Sequence, residues 1–203
     1  MALEDLPVTS DGSEVPEEIT AFLDEADRYI QEYFARGPER PIGGFVPSDY
    51  PSIYRTLVGL RELGFDPGLF LEWGSGFGVV SGMAATLGHE AHGIEIDSDL
   101  IEPAVELLEE HELEVELHAG SYVPGDFDDT EHPEDFEFLT VVPGPSAYDE
   151  IGMDLDEFDV VFVFPWPGTE SLHFDMFDRY AAPGAILITH HGVNGNRVQR
   201  KVD

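Results

Sequence analysis

Glu72-Trp73-Gly74-Ser75-Gly76-Phe77-Gly78 is the stretch whose reading decides the fold. It leaves the short apolar run Leu69–Trp73, which reads as a buried strand. It enters Phe77–Leu87, where Val79, Val80, Met83, Ala84 and Leu87 recur at helical spacing. Glycines at this junction let the backbone turn sharply and let a ligand approach without meeting a side chain. The helix that follows offers backbone N–H groups at its start. Three alternating glycines fit a plain tight turn as well as a ligand cradle, so the flanking segments have to decide between them.

Outward from the loop the chain alternates regularly. Ala91–Ile96 reads as a second strand. Asp97-Ser98-Asp99 supplies capping side chains for a helix to about Glu110, with Ile101, Ala104, Val105 and Leu108 facing inward. Pro103 falls beyond the first turn and predicts that the regular helix starts a residue or two late. Glu114–His118 is a third strand. Phe158–Phe164, the most apolar run, is a central strand buried on both faces. Ser171–Tyr180 is a helix stopped by Pro183-Gly184, and Ala185–Thr189 is a fifth strand. Such alternation predicts a doubly wound α/β fold with a parallel sheet ordered 3-2-1-4-5, and Arg197–Val202 offers one short extra strand.

Upstream, Ile19, Phe22, Leu23, Ala26, Ile30, Tyr33 and Phe34 mark a helix that Arg36-Gly37-Pro38 ends. A second helix runs from Pro51 to Leu63. Residues 1–16 read as a flexible acidic arm. Residues 17–203 read as one α/β domain, with its N-terminal helices in 17–64 and an insertion around 124–157. That insertion is expected to hold a hairpin around Phe136–Val142 and a helical turn near Ala147–Ile151.

The second strand carries Gly93-Ile94-Glu95-Ile96-Asp97, which places an acid about 20 residues beyond the loop, where a carboxylate can accept hydrogen bonds from both ribose hydroxyls of a nucleoside. Asp97 competes for that role, although its position suits a helix cap. The dinucleotide pattern Gly-x-Gly-x-x-Gly would need its third glycine at Val79, so an NAD-dependent oxidoreductase is the weaker alternative.

With these residues in place, the run from Glu72 to Tyr122 resembles the core of class I S-adenosylmethionine-dependent methyltransferases, of the small bacterial or archaeal type. The resemblance implies S-adenosylmethionine as cofactor. Its methionine part would be held by Glu72, Gly74, Ser75, Gly76 and Gly78, its ribose by Glu95 with Ile96 alongside, and its adenine by Ser121 and Tyr122. Ser121 replaces the family's common Asp or Asn. The implied activity is methyl transfer to a small-molecule or protein acceptor. A non-catalytic nucleoside-binding or assembly protein on the same fold is the alternative, since fold does not prove activity.

Ligands of open parallel sheets bind beyond the carboxyl ends of the strands, where the strand order reverses. Phe164-Pro165-Trp166-Pro167-Gly168 leaves the fourth strand there and resembles a variant of the family's Asn/Asp-Pro-Pro-Tyr motif, with Pro165 at the cofactor. Phe164 stands in place of the polar residue, so nitrogen specificity is not carried over. Candidate bases are His190, His191, Glu170, Tyr50 and Asp49. Adjacent His190 and His191 point to opposite faces of a strand and have no third ligand at metal spacing, so no metal site is expected there.

Composition sets the limits. The chain has 43 acidic against 9 basic residues, a net charge of −34, a single lysine at position 201 and no cysteine. Disulfides and thiolate chemistry are excluded. Such a charge repels phosphate backbones and anionic membranes, so nucleic acid is a poor partner at moderate salt. Adaptation to a salty cytoplasm would give the same composition, because salt screens self-repulsion over about 8 Å or less. No leader pattern opens the sequence and no apolar run spans a bilayer, so a cytoplasmic protein is expected.

Overall fold

Apolar runs and amphipathic stripes alternate through the computed structural model, which describes residues 2–8, 14–35, 45–127 and 145–202. In chain order the elements are β1 (Ala2–Asp5), α1 (Glu17–Ala35), α2 (Tyr50–Glu62), β2 (Leu69–Trp73), α3 (Val79–Thr86) and β3 (Glu90–Glu95). There follow α4 (Ser98–Glu110), β4 (Val115–Ala119), α5 (Tyr148–Ile151), β5 (Val160–Val163), α6 (Glu170–Tyr180), β6 (Ile186–His190) and β7 (Asn196–Val202).

The sheet order is β1-β7-β6-β5-β2-β3-β4. Its five parallel strands, β4-β3-β2-β5-β6, stand in the 3-2-1-4-5 order expected of a doubly wound fold. The order reverses at the β2–β5 pair, which fixes where a crevice opens. All four residues of β5 are buried, and they alternate between two cores. Val160 and Phe162 pack with Phe22, Leu57, Phe70 and Met83 on one face; Val161 and Val163 pack with Leu71, Trp73, Met176 and Phe177 on the other. Each such side chain contributes about 1.5–3 kcal/mol of transfer free energy, which is why helices must cover both faces.

The sheet is wider than the sequence reading at one edge. Residues 1–16 read as a flexible arm, yet Ala2–Asp5 is a strand, paired antiparallel with β7 from Ala2↔Val202 to Asp5↔Gln199. Its register is supported by Leu3, packed against one core, and by the Arg197 guanidinium, which donates two hydrogen bonds to the Asp5 carboxylate. The expected short extra strand is the seven-residue β7, antiparallel to β6. Lys201 lies on this strand. It is 2 % exposed, and its ammonium donates to the carbonyls of Asp178 and Ala181 at the end of α6.

Two details of α4 also depart from expectation. Pro103 does not delay the helix, which starts at Ser98 with Asp97 accepting the Asp99 N–H. The carbonyl left without a donor by the proline belongs to exposed Asp99, where water can serve. The inward face is Leu100, Ala104, Leu107 and Leu108, while Val105 lies at the surface. The helical turn near Ala147–Ile151 is α5; the hairpin placed at Phe136–Val142 and the stop at Arg36-Gly37-Pro38 lie outside the described residues. Among the described residues, no helix is long and apolar enough to cross a membrane.

Candidate functional site

At the carboxyl end of β2 the chain reverses through Gly74, Gly76 and Gly78, all with positive φ (71°, 54° and 66°). Gly76 shows why only glycine serves: a Cβ there would lie 2.4 Å from the Phe45 ring, on top of the left-handed backbone. The loop is pinned to β3, because the N–H groups of Gly74 and Ser75 both donate to the Ile94 carbonyl at 2.9 Å.

Glu72, the last acid before the loop, turns inward. Its Oε2 accepts hydrogen bonds from the Ser81 N–H at 2.8 Å and the Ser81 hydroxyl at 2.7 Å, so it caps the first turn of α3 from beneath. Burial, with a smaller push from the Glu95 charge, raises the Glu72 carboxyl to about 8 despite these donors. Glu95 closes the other side of the loop. Its Oε2 accepts the Gly76 N–H and its Oε1 the Asp97 N–H, both at 2.8 Å. Burial raises its pKa as well. Two carboxylates with high proton affinity thus flank one glycine loop.

Over this loop and the β2–β5 switch point lies a cavity of about 490 Å³, within the usual size of small-molecule sites. Of the residues expected to hold a cofactor, Glu72, Gly74, Ser75, Glu95, Ile96, Tyr122 and Pro165 line it. Gly76, Gly78 and Ser121 do not. Gly76 and Gly78 shape the turn from behind, and the buried Ser121 hydroxyl accepts the Val123 N–H at 3.1 Å. Asp97 caps α4, as its position suggested, and also lines the cavity.

Tyr122 is held rigidly. Its ring stacks on Trp73 at 5.4 Å, and its hydroxyl lies 3.1 Å from His173 Nε2. His173 Nδ1 donates to the Thr169 carbonyl at 2.8 Å, so Nε2 is the acceptor and the tyrosine the donor. Burial pushes His173 down to about 4, which keeps it neutral. The indole N–H of Trp73 donates in turn to the Tyr148 hydroxyl at 2.8 Å.

The far end of the cavity is formed by Phe164, Pro165, Trp166 and Pro167 after β5, with Glu170, His191 and Asn194. Of the candidate bases, Glu170, His191 and Tyr50 line it. His190 and Asp49 do not: His190 Nδ1 bonds the Asn196 side chain at 2.6 Å, and Asp49 accepts the Ser52 N–H as the cap of α2. Sequence reading missed Tyr33, Phe45, Leu100 and Phe162, which supply apolar wall. Apolar spacing marked Tyr33 and Phe162 only as core and did not single out Leu100, and the roof that Phe45 makes over the loop is a tertiary contact.

No protein-family model matches the chain, and no curated protein matches its sequence. Solved structures do match its fold. An RNA methyltransferase from Salinibacter ruber, in complex with S-adenosyl-L-homocysteine, is 22 % identical with a TM-score of 0.52, over 77 % of this chain and 92 % of that one. A proposed O-methyltransferase from Klebsiella pneumoniae is 17 % identical with a TM-score of 0.50, over 87 % and 66 %. A protein from Thermus thermophilus is 18 % identical with a TM-score of 0.50, over 81 % and 91 %. The chain has the Rossmann-like α/β fold of class I methyltransferases.

Proposed function

We propose that this chain is an S-adenosylmethionine-dependent methyltransferase that binds its cofactor in the cavity over the glycine loop. The observation that carries the reading is the convergence of Glu72, Gly74, Ser75, Glu95 and Tyr122 on one cavity at the strand-order reversal. The methyl donor carries an ammonium and a sulfonium; Glu95 lies at the cavity beside them, and a bound ammonium would favour the ionised form of Glu72, whose carboxyl burial otherwise raises to about 8. Beyond the backbone N–H groups it accepts, Glu95 keeps lone-pair capacity to accept from a ribose hydroxyl. Tyr122, fixed on Trp73, offers a flat wall for a base.

The acceptor enters past Pro165 and Trp166. Methyl transfer from a sulfonium is a direct displacement, so positioning and exclusion of water supply much of the rate. A base is needed only when the acceptor must lose a proton, and His191 and Glu170 are placed for it. A net charge of −34 disfavours nucleic acid at moderate salt, which supports a small molecule or a protein side chain as acceptor.

Calorimetry with S-adenosylhomocysteine tests the cofactor assignment. Micromolar binding that NAD does not compete away, and that Glu95→Ala weakens at least tenfold, is expected. No binding at low or high salt overturns it. Labelled S-adenosylmethionine with metabolite and protein extracts tests the chemistry, and binding without transfer to either would favour a non-catalytic binding protein.

A further inference from the structure

Away from the cavity, three side chains converge on one face of the β3–β4 pair. His92 stands opposite Glu116 in the parallel register, and His118 lies two residues further along β4, hence on the same face as Glu116. His92 Nδ1 is 3.3 Å from His118 Nε2, with the rings nearly parallel at 15°. Glu116 Oε2 is 4.0 Å from His118 Nε2, and one ligand atom from each of the three lies within 4.8 Å of the others. Both histidines are buried, whereas Glu116 reaches solvent.

The distances fit a metal ion. Bonds of about 2.0–2.1 Å in a tetrahedral site separate ligand atoms by about 3.4 Å. The two imidazole nitrogens already stand at that separation, and the Glu116 carboxylate, 4.0 Å from His118 Nε2 on an exposed side chain, can close the remainder by a rotamer change. A histidine–histidine hydrogen bond alone accounts for less. It leaves buried His92 Nε2 without a partner, and a buried polar atom left so is costly. With Nδ1 on an ion, Nε2 would carry the proton and face Glu90 Oε1, now 4.0 Å away on an exposed side chain that a rotamer change brings into reach. A carboxylate behind a ligating histidine is a common way to fix its tautomer.

We infer that His92, His118 and Glu116 form a site for one divalent transition ion of the zinc class, with its remaining position open to solvent. Two nitrogen donors favour such ions over Mg²⁺ and Ca²⁺, which prefer all-oxygen shells. The ion would clip β4 to β3 just before Gly120–Tyr122, the turn that brings Tyr122 to the cavity. This site is independent of the methyltransferase reading.

The full chain, stripped with a chelator and titrated with Co²⁺ in excess Mg²⁺ to occupy the acidic surface, tests it. The expected result is a visible d–d band that saturates at one equivalent and is displaced by Zn²⁺, with Zn²⁺ raising the melting temperature. Glu116→Gln, at an exposed position, keeps the metal-free melting temperature and weakens binding at least about tenfold. His118→Gln removes the band. The inference is overturned if no band saturates, or if the band and its affinity survive Glu116→Gln unchanged.

Discussion

Glu95 holds Gly76 in place: the Glu95 carboxylate accepts the Gly76 N–H at 2.8 Å through one oxygen and anchors the Asp97 N–H through the other. The acid at the end of β3 therefore organises the loop at the end of β2 before any ligand arrives. Glu95→Ala leaves both donors without their acceptor, at a cost of about 1–3 kcal/mol for each that stays buried. Glu95→Gln turns an amide N–H₂ toward one of them and is expected to be no better. Urea midpoints read the stability loss, and calorimetry with S-adenosylhomocysteine reads the affinity loss. A variant destabilised but binding normally would remove the ribose role and leave only the structural one.

Gly76→Ala meets two separate obstacles, a left-handed φ of 54° and the Phe45 ring at 2.4 Å. The backbone term costs about 1 kcal/mol and the contact adds to it. The double variant Gly76→Ala/Phe45→Ala is expected to recover the contact part only, beyond the loss that Phe45→Ala causes by itself. A four-way comparison of urea midpoints measures the coupling. Additive effects would show that the ring is not what forbids a side chain.

Stability should fall as pH rises through neutrality toward about 8 because of Glu72. Its carboxyl is raised to about 8 in the fold, from an ordinary 4.5. The folded state therefore binds the extra proton between these values, and its contribution is fully present below 4.5 and lost as pH rises through 8. His173 acts in the opposite sense: lowered to about 4 from 6.5, its contribution is present above 6.5 and lost as pH falls through 4. The two oppose each other in mild acid, leaving Glu72 to dominate from 6.5 to 8, where one proton is worth about 1.4 kcal/mol per pH unit at most. Glu72→Gln keeps an acceptor for Ser81 and should flatten that decline. A decline equally steep in the variant would assign it to other groups.

Lys201, the only lysine, closes α6 by donating to two of its last carbonyls from a buried position. Lys201→Met keeps the apolar stem and removes the charge-assisted bonds at the negative end of the helix dipole. A loss of about 2–4 kcal/mol is expected in thermal or urea unfolding. A loss well under 1 kcal/mol would mean that water caps the helix as well as the ammonium does.

The surface of α4 concentrates the charge problem. Glu102, Glu106 and Glu110 follow one another at four-residue spacing, and no basic residue occupies the last turn. Like charges so spaced destabilise a helix by about 0.2–0.5 kcal/mol per pair. Glu106→Lys turns two repulsive pairs into attractive ones and should raise the melting temperature at low salt. The gain should shrink as KCl is added. A gain independent of salt would point to helix propensity instead.

Much of this was legible in the sequence because it is periodic. The strand–glycine loop–helix unit, the strand order and the buried Phe158–Phe164 run follow from apolar spacing and right-handed crossovers. So does the placing of Glu72, Glu95 and Tyr122 at one end of the sheet. What escaped was set by pairing across long separations. Leu3 and Leu6 are too sparse to announce a strand, and β1 exists because β7 offers it an edge. Phe45 reads as a loop residue, and only packing puts its ring against Gly76. Glu116 and His118 share a face of β4 by their two-residue spacing, but only the β3–β4 register brings His92 to them. Ser121 was expected at the cofactor from resemblance, but its hydroxyl is turned to a backbone N–H.

The pairing of β1 with β7 sets Ala2 beside Val202, so the outer edge of the sheet is also a contact of very long sequence separation. Pairing over such a separation carries a large loop-closure cost, so the sheet can build outward from β2, β3 and β5 before this seam forms. That seam is the natural place to fray first. A circular permutant that links Val202 to Ala2 and opens a distant surface loop should keep the fold while making its slowest contact a local one.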